Sequence, residues 1–278
     1  MRVTRRRFLA AGLGVASGAG LGYYGARVEP FGIEVVSKRL ALPRLPRAFE
    51  GLRVAVLGDL HLGPYVPVDL VAHAVAIVGS LNPDLVLVLG DFVDGPSDRQ
   101  FGPLREQLGR LRASLGVFAI LGNHDIWTDR DAVVATVREA GLRLLLNEHV
   151  ALEGGGERLH LAGIDDAWVG KPDLGDALDG VPRDAATILL AHEPDFADEA
   201  ATDGRVGLQL SGHSHGGQVR LPGWGPILLP PWGQKYPAGL YRVGGMTLYT
   251  NRGVGFLKMA VRFNCPPEVT LIELWRTA

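Results

Sequence analysis

Three observations in the sequence predict an α/β domain built on parallel or mixed β-sheet covered by helices. Five short runs are apolar almost throughout instead of alternating, which is the pattern of strands buried on both faces. Stretches with helical spacing of apolar residues lie between the first of them. Each run then breaks at an Asp, His or Asn, and α/β sheets gather ligands where strands hand residues to loops at their carboxyl ends.

In chain order, Thr4-Arg5-Arg6-Arg7-Phe8-Leu9-Ala10 precedes an Ala/Gly/Leu/Val-rich run from Ala11 to about Gly22. A basic stretch followed by a short apolar one is the layout of an export signal. The Arg pair followed by Phe-Leu is similar to a twin-arginine signal, which sends folded proteins across the bacterial inner membrane through the twin-arginine export machinery. The run is shorter than the roughly 20 residues of a spanning helix. Residues 1–27 are therefore expected to be an export signal that is either removed or kept as a membrane anchor, leaving the protein in the periplasm or cell wall. Residues 28–51 are expected to form a linker with an opening hairpin or edge strand, since Ile33 to Ser37 alternates and Pro43 and Pro46 close it.

One catalytic domain is expected over 52–278. Its first strand, Val54 to Gly58, ends in Asp59-Leu60-His61, and a helix follows from Pro67 to about Leu81. The strand Leu85 to Leu89 ends in Gly90-Asp91-Phe92-Val93-Asp94, ahead of a helix expected over Arg99 to Leu115. Gly116 to Leu121 delivers Gly122-Asn123-His124-Asp125, and a third helix is expected from Asp129 to Ala140 with Thr128 as its cap. Arg158 to Ile164 reads as a strand. Thr187 to Ala191 ends in His192-Glu193, and Val206 to Ser211 in Gly212-His213-Ser214-His215. Beyond Gly217 the helical pattern stops, and three closing strands begin near Tyr241, Met246 and Val269.

Composition narrows the chemistry. At 278 residues and 47% hydrophobic, the chain can bury a substantial core. Its net charge of −2 includes five arginines among the first 28 residues, so the remainder carries 23 Lys and Arg against 30 Asp and Glu. That balance argues against a nucleic-acid partner. Cys265 stands alone, which excludes an internal disulfide and a cysteine-built zinc site. The strand ends instead offer carboxylate, imidazole and amide, a mixture that suits Mn²⁺, Fe or Zn²⁺ better than Ca²⁺. His73, His149 and His160 lack such company and are expected to be structural.

Asp59-x-His61, Gly90-Asp91-x-x-Asp94, Gly122-Asn123-His124-Asp125, His192 and Gly212-His213-x-His215 follow one another in an order that resembles the calcineurin-like metallophosphoesterases. The resemblance covers about residues 52–275. The tail, from Gly212-His213-Ser214-His215-Gly216-Gly217-Gln218 through Asn251-Arg252-Gly253 to Arg262-Phe263-Asn264-Cys265, resembles the exported bacterial branch. It implies a two-sheet mixed β-sandwich flanked by helices and two divalent cations. By the same resemblance, Asp59, His61 and His215 would hold one cation, Asn123, His192 and His213 the other, and Asp91 would bridge them. The expected reaction is hydrolysis of phosphate mono- or diesters by a metal-activated hydroxide. His124 would protonate the leaving group, with Asp125 orienting its imidazole. Asp94 reads as a turn residue that also hydrogen-bonds near the site.

The substrate is less legible. Leu221 to Trp232 is apolar, proline-stiffened and carries two tryptophans, so it reads as a cover on the sheet edge, a wall for an acyl chain or a membrane contact. Some relatives cleave the pyrophosphate of acylated UDP-sugars, which makes a lipid-linked substrate the alternative. Arg220, Arg252 and Arg262 are candidates for holding phosphate. The reading from another class is a metal- or lipid-binding protein without turnover, but every ligand position and His124 are retained.

Overall fold

The protein is described from a computed structural model, over residues 18–95 and 98–277. Two six-stranded sheets face each other. In spatial order the first runs β1 (Glu34–Leu42), β14 (Glu268–Arg276), β2 (Arg53–Leu57), β3 (Leu85–Val88), β4 (Val117–Ala119) and β5 (Arg143–Leu144). The second runs β12 (Gly239–Val243), β13 (Met246–Thr250), β9 (Leu208–Ser211), β8 (Thr187–Leu190), β7 (Glu157–Gly163) and β6 (Glu148–Gly154). A small hairpin, β10 (Arg220–Leu221) with β11 (Gly225–Pro226), stands apart.

Period-two alternation along the buried strands creates three apolar layers. Val54, Val56, Leu85 and Leu87 point between the sheets, where they meet Leu161, Ile188, Leu190 and Leu210 of the second sheet. Ala55, Leu57, Val86 and Val88 point outward against α2 (Val68–Ser80), α3 (Phe101–Leu108) and α4 (Asn123–Glu139). Leu189 and Leu248 likewise face α5 (Leu174–Ala177) and α6 (Ala197–Asp203). The strands thus read as uniformly apolar because both of their faces are covered. Both sheets are mixed, and the expected helix-flanked sandwich is the architecture found.

Pairing direction is what positions the site. Strands β2, β3 and β4 are parallel neighbours, so Asp59, Asp91 and Asn123 leave the first sheet at the same edge. Strands β7, β8 and β9 are parallel too, and His192 and His213 leave the second sheet together.

Glu34–Leu42 is an edge strand in parallel pairing with β14, one of the two forms expected for residues 28–51. Other elements differ from expectation. Helix α3 ends at Leu108, because Gly109 supports a helix poorly and Leu115 N–H bonds to Asp84 O, drawing the chain toward β4. Helix α4 starts at Asn123, inside the site, and breaks at the non-helical Asp129. Asp129, not Thr128, caps its second part by accepting from Ala132 N at 3.0 Å. The expected signal lies, for residues 1–17, outside the described residues. Residues 18–27 form the described part of helix α1, and no helix among the described residues is long and apolar enough to cross a membrane.

Leu87 is completely buried between the sheets. Leu87→Ala should cost about 2–5 kcal/mol, read as a lower urea midpoint at unchanged slope.

Candidate metal centre

Five of the seven ligand candidates lie in sharp bends at strand ends. Asp59, His61, Asp91, His213 and His215 all have φ between 47° and 69°. This left-handed region is costly for residues with a Cβ, though Asp and His tolerate it better than β-branched residues. The bends turn side chains that would lie along the sheet edge into one point between the two sheets. Asp59, His61, Asp91, Asn123, His192, His213 and His215 are all buried there.

The side chains fall into two groups that share one carboxylate. Donor atoms of Asp59, His61, Asp91 and His215 lie within 4.8 Å of one another, as do those of Asp91, His192 and His213. Asp91 Oδ2 is 3.4 Å from His61 Nε2 on one side and 3.2 Å from His192 Nε2 on the other. Asp91 Oδ1 accepts the backbone N–H of His124 at 2.9 Å. His61 Nε2 and His215 Nε2 approach to 2.9 Å, a separation that two donors of one cation can share. Gly122 is required beside them, since a Cβ there would run into the Asp91 carboxylate and the His192 ring.

The donor set fits divalent cations. Asp59 Oδ2 and Asn123 Oδ1 are buried without a hydrogen-bond partner, an expensive condition unless something else satisfies them. Burial pushes His61 down to about 3 and His213 to about 4, so both imidazoles are neutral and free to coordinate at neutral pH. Backbone carbonyls orient the rings: His192 Nδ1 donates to Leu89 O at 2.6 Å, and His213 Nε2 to Pro231 O at 2.8 Å. Burial pushes the Asp59 carboxyl up to about 7. Asp91 behaves oppositely: burial opposes its charge, but His192, His124 and His61 hold it well below the usual carboxylate range.

The partner of His124 is Asp94, whose Oδ1 lies 3.0 Å from His124 Nδ1. Asp125, expected in that role, is completely buried and accepts from Gly122 N at 2.9 Å and Phe92 N at 2.8 Å. The reason is helical geometry: Asp125 is the third residue of α4, where a carboxylate reaches back to the cap backbone. Asp125 therefore braces the loops that carry Asp91 and Asn123.

The candidate phosphate-binding arginines are also engaged elsewhere. Arg262 is fully buried and donates to the carbonyls of Gly255, Cys265, Arg252 and Gly253. Arg252 pairs with Glu268 at 2.6 Å and Glu34 at 3.0 Å, and Arg220 donates to Gly216 O. The tail motif thus builds a scaffold pressed on the Asp59 loop, where Gly255 N donates to Asp59 O. His73, His149 and His160 join no ligand group among the described residues.

Beside the ligands lies a cavity of about 510 Å³, lined by Tyr65, Asp94, His124, Trp127, Trp168 and Lys258 among others. Trp127 packs edge-on against His124 and Trp168, and Trp168 against His213, with centroids 5.0–5.7 Å apart. The Trp168 loop is held by two buried carboxyl groups, Asp166 and Glu193, that no sequence motif marks. Glu193 accepts from Ala167 N, while Asp166 accepts from Trp168 N and Val169 N. Burial lifts the Glu193 carboxyl well above its ordinary range. Asp165-Asp166 follows strand β7 as Asp59 follows β2, but Glu157, Arg158 and His160 break the apolar run that marks the other strand ends.

The calcineurin-like phosphoesterase family model matches residues 52–217, and the chain belongs to that family. The helix-flanked sandwich, its buried donor cluster and the family match together make the protein a metal-dependent phosphohydrolase. It is 35% identical over 287 residues to the uncharacterized metallophosphoesterase YkuE of Bacillus subtilis, covering 99% of each chain. It is 35% identical over 281 residues to the phosphodiesterase YaeI of Escherichia coli, covering 98% of this chain and 99% of that one.

Asp91→Ala should leave fewer than half of the metal equivalents of the wild type, measured by elemental analysis after dialysis. Asp59 holds a proton below about pH 7 that a cation must displace. Burial opposes a charge on His192, but Asp91 lifts its imidazole well above the ordinary value, so a second proton leaves at higher pH. Metal affinity should therefore rise about ten-fold per pH unit for the Asp59 proton below pH 7 and continue to rise above it, by titration calorimetry.

Proposed function

We propose that the chain hydrolyses phosphate esters, diesters foremost, with two divalent cations, and that it does so at the bacterial cell envelope. The observation that carries this reading is Asp91, whose carboxylate belongs to both donor groups at once. The diester preference is supported by the 35% identity to a relative named a phosphodiesterase. The envelope location is supported by the twin-arginine-like segment Thr4 to Ala10. The mixed donor set suits Mn²⁺, Fe or Zn²⁺, and export of the folded chain, which would let the cytoplasm load the metal first, favours manganese.

Asp59, His61 and His215 would hold one cation and Asn123, His192 and His213 the other, with Asp91 between them. When bound, such a pair polarises phosphoryl oxygens and acidifies a water enough to attack near neutral pH. Asn123 contributes a neutral oxygen, which limits the negative charge facing an anionic substrate. His124 acts on the departing group. Burial opposes a charge on its ring, but Asp91 and Asp94 overcome this and lift the imidazole above its ordinary value. With Nδ1 committed to Asp94, Nε2 is left to give its proton to the leaving oxygen.

The cavity lining favours a second, narrower reading. Tyr65, Trp127, Trp168, Pro230 and Leu257 suit an ester whose organic part is apolar, as in a lipid-linked pyrophosphate.

Hydrolysis of p-nitrophenyl phosphate, bis-p-nitrophenyl phosphate and a UDP-linked acyl-sugar, with Mn²⁺ supplied, tests the proposal. Asp91→Ala should abolish activity on every one. His124→Ala should lower kcat by about 10²–10⁴ while metal content stays at the wild-type level. Turnover that survives Asp91→Ala would exclude the two-cation reading.

A further inference from the structure

The segment after His215 is fixed at its base and bare at its tip. Asp195 accepts the backbone N–H groups of Gln234, Lys235 and Tyr236, and Pro231 O holds His213, so the base is tied to the metal centre. Beyond it the β10–β11 hairpin and the following turn carry Trp224 at 90% exposure, Leu228 at 79% and Ile227 at 62%. Met259, at 65%, projects from a neighbouring loop whose Leu257 N donates to Gln218 Oε1. Ordinary packing does not explain a tryptophan so exposed among other exposed large apolar side chains.

The same face adjoins the amino-terminal helix over residues 18–27. Arg262 N donates to Gly25 O, and Arg220 N donates to Phe263 O, which lays helix, loop and hairpin side by side. Leu21, Tyr23 and Tyr24 of that helix are exposed. The charge of the face is one-sided. From Gly204 to Pro267 the chain has no Asp or Glu but seven Lys and Arg, although the whole chain is net −2. Of these, Arg205, Lys235 and Arg252 pair with Asp203, Asp198 and Glu268, and Arg262 is buried. Arg220 and Lys258 flank the apolar side chains, and Arg27, outside that span, closes the adjacent helix.

We propose that this face docks on a lipid bilayer bearing anionic headgroups, with Trp224, Ile227, Leu228 and Met259 inserted at the interface. Apolar burial and attraction between basic residues and anionic lipid together provide the binding. Leu257 and Lys258 of the same loop line the site cavity, so docking brings the cavity mouth to the headgroup layer. Trp224 and Leu228 do not line that cavity, which separates docking from catalysis.

The test is co-sedimentation of the full-length protein with vesicles of phosphatidylcholine alone or with one quarter phosphatidylglycerol, for wild type and Trp224→Ser/Leu228→Ser. Wild type should bind the anionic vesicles, weaken in 0.5 M salt, and exceed the double variant by roughly ten-fold or more. Brominated lipid chains should quench the wild-type fluorescence more than that of Trp224→Phe. Hydrolysis of bis-p-nitrophenyl phosphate reports on folding and should be unchanged in the double variant. If wild type ignores both vesicles, or the double variant binds equally well through residues elsewhere, the proposal fails. A wild-type dimer that Trp224→Ser/Leu228→Ser converts to a monomer, without vesicle binding, would assign the face to a second copy instead. Loss of ester hydrolysis by Asp91-intact wild type would count against the function proposed above and leave this test standing.

Discussion

A carboxylate buried between two sheets has to be met by positive charge or by donors, and Asp91 imposes that condition on everything around it. Burial alone would protonate it. Its environment does the reverse, with His61 and His192 on one oxygen and the His124 backbone N–H on the other. The two histidines come from different sheets, so Asp91 also registers one sheet against the other. Gly122 follows from the same constraint, because only a residue without a Cβ lets the Asn123 loop pass that close.

The edge is held in a conformation that the backbone alone would not choose. Five ligand residues occupy the left-handed region, at a cost of about 1–3 kcal/mol each. Strands with both faces buried supply the resistance, since a one-residue slip would push apolar side chains out of two layers at once. Bracing carboxylates add to it. Asp125 ties the Asp91 and Asn123 loops together, and Glu193 with Asp166 fixes the loop that sets Trp168 against His213.

Arginine illustrates how environment decides a role. Arg252 and Arg262 sit in a motif next to the site, yet their guanidinium groups face inward to Glu268, Glu34 and backbone carbonyls. A guanidinium with five donors satisfies a crowded turn as readily as a phosphate. The cation that does line the cavity is Lys258, in a loop with no motif to announce it.

The sequence by itself determined the strands and the polar residues gathered at their ends. Apolar runs covered on both faces have a recognisable pattern, and Asp, His or Asn at their ends stands out against it. Local chemistry was legible for the same reason, as at the proline-led start of α2. Tertiary structure decided what depends on direction and reach: that Asp94 and not Asp125 meets His124, that α3 stops at Leu108, and that the arginines turn away. It also decided that Trp224 stays in solvent while Trp168 faces His213. Spacing along a chain records which residues a strand delivers, but not where a bent backbone aims them or which distant group arrives to meet them.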